Sequence, residues 1–118
     1  MFVFVPEALL HFVEAGIFTK QVNAAGAEVM HAIQSDLIEN PICGPVVRGT
    51  GGARKARVAD SRSASGKSGG YRYMYLYFPH KGRIHLLFLF GKRDQANLSD
   101  EQKKWIAKMV AAIEKEAQ

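Results

Sequence analysis

Two runs of large apolar and aromatic side chains, Tyr71 to Phe78 and Arg83 to Phe90, are separated only by Pro79-His80-Lys81-Gly82. In the first, Tyr73, Tyr75 and Tyr77 alternate with Met74, Leu76 and Phe78. In the second, Ile84, Leu86 and Phe88 alternate with Leu87 and Leu89. Successive side chains of a strand point to opposite faces, so both runs read as strands that are apolar on both sides. Such strands sit centrally in a sheet and are covered on both faces. The Pro-to-Gly connection makes them a hairpin. With 118 residues, 47% of them hydrophobic, the chain is expected to form a single domain, 1–118, around one core.

The rest of the chain supplies the covering layers. Phe2 to Val5 reads as a short strand, and Pro6 to Gly16 as a short helix with proline at its first position and glycine as its C-cap. Val22, Ala25, Val29, Ile33 and Leu37 recur at helical steps and predict a second helix from Thr19 to Glu39, stopped by Asn40-Pro41. A loop rich in Gly and Pro follows to Gly52, then a strand from Ala53 to Ala59 and a Ser/Gly-rich loop from Asp60 to Gly70. Ser99 and Gln102 have capping-box spacing. They open a last helix whose apolar face is Trp105, Ile106, Met109, Val110 and Ile113. The order β-α-α-β-β-β-α predicts an α+β fold: an antiparallel sheet with an N-terminal helical hairpin and a C-terminal helix.

Charge is distributed unevenly. Of 16 Lys and Arg, eleven fall between Arg48 and Arg93, and of 11 Asp and Glu only Asp60 falls there. A segment this basic implies an anionic partner, most commonly a phosphate backbone. Lys55 and Arg57 point to one face of the predicted strand, and Arg54 and Ala56 to the other. Two cations on one face repel unless an anion lies between them; a charged, aggregation-resistant edge is the other reading. Arg72 opens an otherwise apolar strand and comes near both if the two strands pair across the Ser/Gly loop. Gly49-Thr50-Gly51-Gly52 allows close backbone approach to a ligand, but its spacing is not that of a P-loop.

Other chemistries have little support. Cys43 is the only cysteine, and the four histidines lack metal-ligand spacing. No cofactor or metal is expected. The four tyrosines of the first run read mainly as core, with Tyr71 or Tyr75 as the candidate to stack a base. The N-terminus lacks a basic leader and is too short for a membrane span of about 20 apolar residues. A cytoplasmic location is expected.

The segments Arg48 to Arg57 (RGTGGARKAR), Gly66 to Tyr75 (GKSGGYRYMY), Leu89 to Arg93 (LFGKR) and Asn97-Leu98-Ser99 together resemble the RelE/HigB superfamily of toxin–antitoxin toxins. The branch they look like is the HigB-like one carrying GTGG-x-RK-x-R. The resemblance implies a RelE-like fold and a metal-independent, ribosome-dependent mRNA endonuclease that cuts in the ribosomal A site and stops translation. It implies Lys55, Arg57, Arg72 and Arg93 as catalytic residues, with Arg57 and Arg72 on the phosphate and Lys55 or Arg57 moving a proton. Arg48, Arg54, Arg62, Lys67 and Lys92 would bind RNA or ribosome. Some relatives carry a C-terminal tyrosine where this chain has Leu98-Ser99, so no tyrosine is supplied there for proton transfer. The implied partners are ribosome, mRNA and a cognate antitoxin, expected to be a helix-turn-helix protein encoded next door. Operator DNA would be met only through the antitoxin complex, and no membrane is involved. A non-catalytic gyrase inhibitor like the ParE relatives, or a plain RNA-binding module, are the alternatives.

Overall fold

The hairpin forms the centre of a four-stranded sheet. The computed structural model describes residues 10–59, 70–91 and 98–117. In chain order the elements are β1 (His11–Glu14), α1 (Gly16–Ala25), α2 (Ala27–Glu39), β2 (Arg54–Val58), β3 (Tyr71–Phe78), β4 (Arg83–Phe90) and α3 (Asp100–Ala117). The sheet order is β1-β4-β3-β2. β2, β3 and β4 are antiparallel, as expected, and β1 joins β4 in parallel.

The N-terminal part departs from the expected boundaries. The helix expected over Pro6 to Gly16 is instead strand β1 over its last residues, and Gly16 starts a helix rather than ending one. A helix of about ten residues is marginal without packing. The open edge of β4 offers more: His11 N donates to Gly82 O at 2.7 Å and Ala15 N to Leu86 O at 2.9 Å. The expected strand Phe2 to Val5 lies outside the described residues. The helix expected over Thr19 to Glu39 is two helices broken at Gly26, whose φ of 114° favours glycine. The helical hairpin is thus α1 and α2. Phe18, Val22, Val29, Ile33 and Leu37 face the sheet and are buried.

Both faces of β3 and β4 are covered, as their composition requires. On one side Ala56, Val58, Tyr73, Tyr75, Ile84, Leu86 and Leu89 pack with α1 and α2. On the other, Ala53, Met74, Leu76, Leu87 and Phe88 pack under Ile106 and Val110 of α3. The capping box that starts α3 forms reciprocally: Gln102 N donates to Ser99 Oγ at 3.1 Å and Ser99 N to Gln102 Oε1 at 2.9 Å.

One irregularity re-aims half of β4. Met74 pairs with Phe88 but Tyr75 with Leu86, so Leu87 is a bulged extra residue. Alternation from Ile84 and Leu86 would send Phe88 toward α1 and α2. The bulge turns Phe88 and Phe90 to the α3 side instead.

Candidate RNA-facing site

The cations of β2 and β3 meet on the α3 side of the sheet. Cross-strand partners share a face, and Arg57 pairs with Arg72 while Lys55 pairs with Met74. Lys55, Arg57 and Arg72 therefore project from the face that carries Met74, at its β2 side. Arg57 is exposed; Lys55 and Arg72 are half-buried. Burial, and then the charges of Arg72, Arg57 and Lys103, push the Lys55 ammonium below the usual lysine value. Lowering a lysine in this way makes its neutral, basic form available nearer to neutral pH.

Lys103 is the site residue that sequence reading missed. It lies three and seven residues before Ile106 and Val110, which places it on the buried stripe of α3. A lysine on an apolar stripe was the available signal. The glycine loop makes room for it: a β-carbon at Gly49 would lie 3.4 Å from Lys103 Cδ, and one at Gly51 3.4 Å from Val110 Cγ1. Close backbone approach is thus used for packing α3. Thr50, fully buried between them, donates its hydroxyl to Val47 O at 2.7 Å and accepts from Ala53 N at 3.1 Å. This bracket fixes where β2 begins and hence where Lys55 stands.

Arg54 is not part of the cluster. It points to the opposite face, and its Nη1 donates to Gly44 O at 2.8 Å, pinning the 43–47 segment along β2. Lys55 N donates to Pro45 O at 3.1 Å in the same arrangement. Arg48 is exposed in the turn before Gly49, on the loop that approaches Lys103. Arg62, Lys67, Lys92 and Arg93 lie outside the described residues.

Tyr73 and Tyr75 are fully buried, so Tyr75 is not available to stack a base. The Tyr75 hydroxyl donates to Pro41 O at 2.8 Å and accepts from Gly44 N at 3.0 Å. Burial raises the pKa of both phenols, that of Tyr75 to about 12, so they serve packing rather than proton transfer.

This constellation rests on a known scaffold. The family model described as "RelE toxin of RelE / RelB toxin-antitoxin system" matches residues 18–118. The chain belongs to the RelE toxin family. Solved RelE structures share its fold. The isolated Escherichia coli RelE toxin aligns with a TM-score of 0.53 at 16% identity, covering 88% of this chain and 98% of that one. A double arginine-to-alanine mutant of the same toxin in the free state aligns at 0.51 and 17% identity, covering 71% and 84%. Among the described residues no helix is long and apolar enough to cross a membrane.

Proposed function

We propose that this RelE-family chain is a cytoplasmic, single-domain toxin that cuts mRNA in the ribosomal A site and so arrests translation. The observation that carries this reading is the meeting of Lys55, Arg57 and Arg72 on one sheet face, with Lys103 acting on Lys55 from α3. In the proposed reaction the ribose 2′-oxygen attacks the adjacent phosphorus and the bond to the 5′-oxygen breaks. A 2′,3′-cyclic phosphate and a 5′-hydroxyl result. Arg57 and Arg72 stabilise the extra negative charge of the phosphorane. Neutral Lys55 accepts the 2′-hydroxyl proton, which returns to the leaving 5′-oxygen directly or through solvent. The ribosome supplies the fixed geometry of the mRNA, and positioning of this kind is worth several kcal/mol of barrier.

Arg93 is assigned here as a further phosphate ligand, and Arg48, Arg62, Lys67 and Lys92 as contacts to RNA or ribosome. These assignments and the HigB-like branch rest on the sequence motif. A cognate antitoxin of helix-turn-helix type neutralises the toxin and carries it to operator DNA.

Brief induction of wild type and of Arg72→Ala, with primer extension on cellular mRNA, tests the reading. Growth arrest with cuts inside translated codons, lost in Arg72→Ala, is the expected result. Arrest with DNA breaks and intact mRNA would assign the chain to gyrase inhibition instead. RNA binding without arrest or cuts would leave a binding module.

A further inference from the structure

The row that holds the two arginines continues past them. Arg57 pairs with Arg72, and Arg72 pairs with Phe90 of β4; one step along, Lys55 pairs with Met74, and Met74 with Phe88. Neighbouring strands lie about 4.8 Å apart. The face therefore changes from cationic to aromatic within about 10 Å, because the Leu87 bulge turned both phenylalanines this way. Trp105 of α3 stands against the aromatic end, its ring centroid 5.0 Å from that of Phe88, which is 6.3 Å from Phe90.

The sequence pattern puts Trp105 on the buried stripe of α3, yet it is 55% exposed while its neighbour Ile106 is 2% exposed. With Phe88, Phe90 and Leu98 it lines an open apolar notch of about 70 Å³. An indole left at the surface beside an apolar notch offers a flat ring face on which another ring can stack. Its surroundings say what the contact is. Lys103, two residues earlier on the same helix, acts on Lys55, so one turn of α3 serves the cation cluster on one flank and holds the indole on the other. A nucleotide whose phosphate sits between Arg57 and Arg72 has its base within reach of the aromatic end. Every base has a face that stacks on an aromatic ring, whatever the sequence.

We propose that Trp105, backed by Phe88 and Phe90, is a stacking subsite for a nucleobase flanking the scissile phosphate. The occupant rests on the nuclease reading above; the geometry does not. The test is single-turnover cleavage on mRNA-programmed ribosomes by wild type, Trp105→Phe and Trp105→Ala. Each enzyme is given intact mRNA and mRNAs carrying one abasic nucleotide on either side of the cut.

Trp105→Ala slows cleavage of intact mRNA about 5- to 150-fold, the range for losing one stacked base, and Trp105→Phe keeps most of the rate. At one abasic position wild type slows equally, and Trp105→Ala loses nothing more. Equal rates for wild type and Trp105→Ala, or an alanine defect undiminished on every abasic mRNA, overturn the subsite and leave the nuclease reading standing. A Trp105→Ala protein that cuts normally but escapes its antitoxin assigns the patch to protein docking, which also overturns it. If wild type cuts no mRNA, the nuclease reading falls and the subsite is decided separately through Trp105, the chain's only tryptophan. Short single-stranded RNA then quenches its fluorescence saturably, and an abasic oligomer does not; absence of quenching by RNA overturns the subsite.

Discussion

Arg57 and Arg72 stand directly opposite one another in the β2–β3 ladder. Lys55 N is directed away from β3, to Pro45 O. By alternation Arg57 also occupies a non-hydrogen-bonded position, where facing side chains are closest. Like charges so placed destabilise a sheet. The pair is therefore a cost of the folded state that a phosphate between the two side chains would offset. Replacing either residue with glutamine raises stability in low-salt urea titrations by up to about 1 kcal/mol. Cleavage falls on the order of 100-fold in the same proteins, the usual loss of one transition-state donor. A stability loss accompanying the activity loss would make the pair structural.

The lowered pKa of Lys55 fixes the sign of two pH effects. Its folded value lies below the ordinary 10.5, so the unfolded chain binds the proton more tightly. The stability cost of charged Lys55 is complete below the folded pKa and is relieved as pH rises from there toward 10.5. Lys55→Met therefore stabilises at neutral pH, and the advantage disappears in alkali. Cleavage by wild type rises with pH through the same lowered value as the neutral amine accumulates. Lys55→Arg, which stays charged, removes that limb of the pH–rate profile; an unchanged limb would give the proton transfer to another group.

Thr50 tests the bracket that starts β2. Valine has the same shape but neither accepts from Ala53 N nor donates to Val47 O. Thr50→Val takes this partner from the buried Ala53 N–H and the part-buried Val47 carbonyl, and costs about 1–3 kcal/mol in chemical denaturation.

Gly44 tests how the outer segment is seated on β2. A β-carbon there would come within 2.6 Å of Lys55 O. Gly44→Ala pushes the segment off β2, breaking the Arg54 contact to Gly44 O. A destabilisation of about 1–3 kcal/mol is expected, typical of overpacking. Cleavage falls with it because the Lys55 backbone loses the Pro45 carbonyl of that segment, which holds it in place. Unchanged stability would show that the segment yields freely.

What was legible in the sequence follows from how local each signal is. The β3–β4 hairpin, the Ser99–Gln102 cap and the shared face of Lys55 and Arg57 depend on residues close in the chain, and their short-range periodicity reported them. β1 was read as part of a helix because what makes His11 to Glu14 a strand is the edge of β4, some seventy residues away. Gly26 was read through because a glycine within a helical pattern does not announce its φ. The bulge at Leu87 lies inside an uninterrupted apolar run, so alternation misassigned Phe88. Lys103 and Trp105 were hidden in the stripe of α3, and only tertiary packing shows that one turns to the cations and the other to solvent.

In the proposed reaction the face of Lys55, Arg57 and Arg72 breaks RNA by attack of the ribose 2′-oxygen. The most direct measurement uses ribosomes programmed with mRNA carrying a single 2′-deoxynucleotide at the position of the cut, beside its all-ribo counterpart. Wild type is expected to cut the all-ribo mRNA, leaving a 2′,3′-cyclic phosphate and a 5′-hydroxyl, and to leave the deoxy-substituted position intact. Equal cutting of both mRNAs, or 5′-phosphate ends, would contradict it.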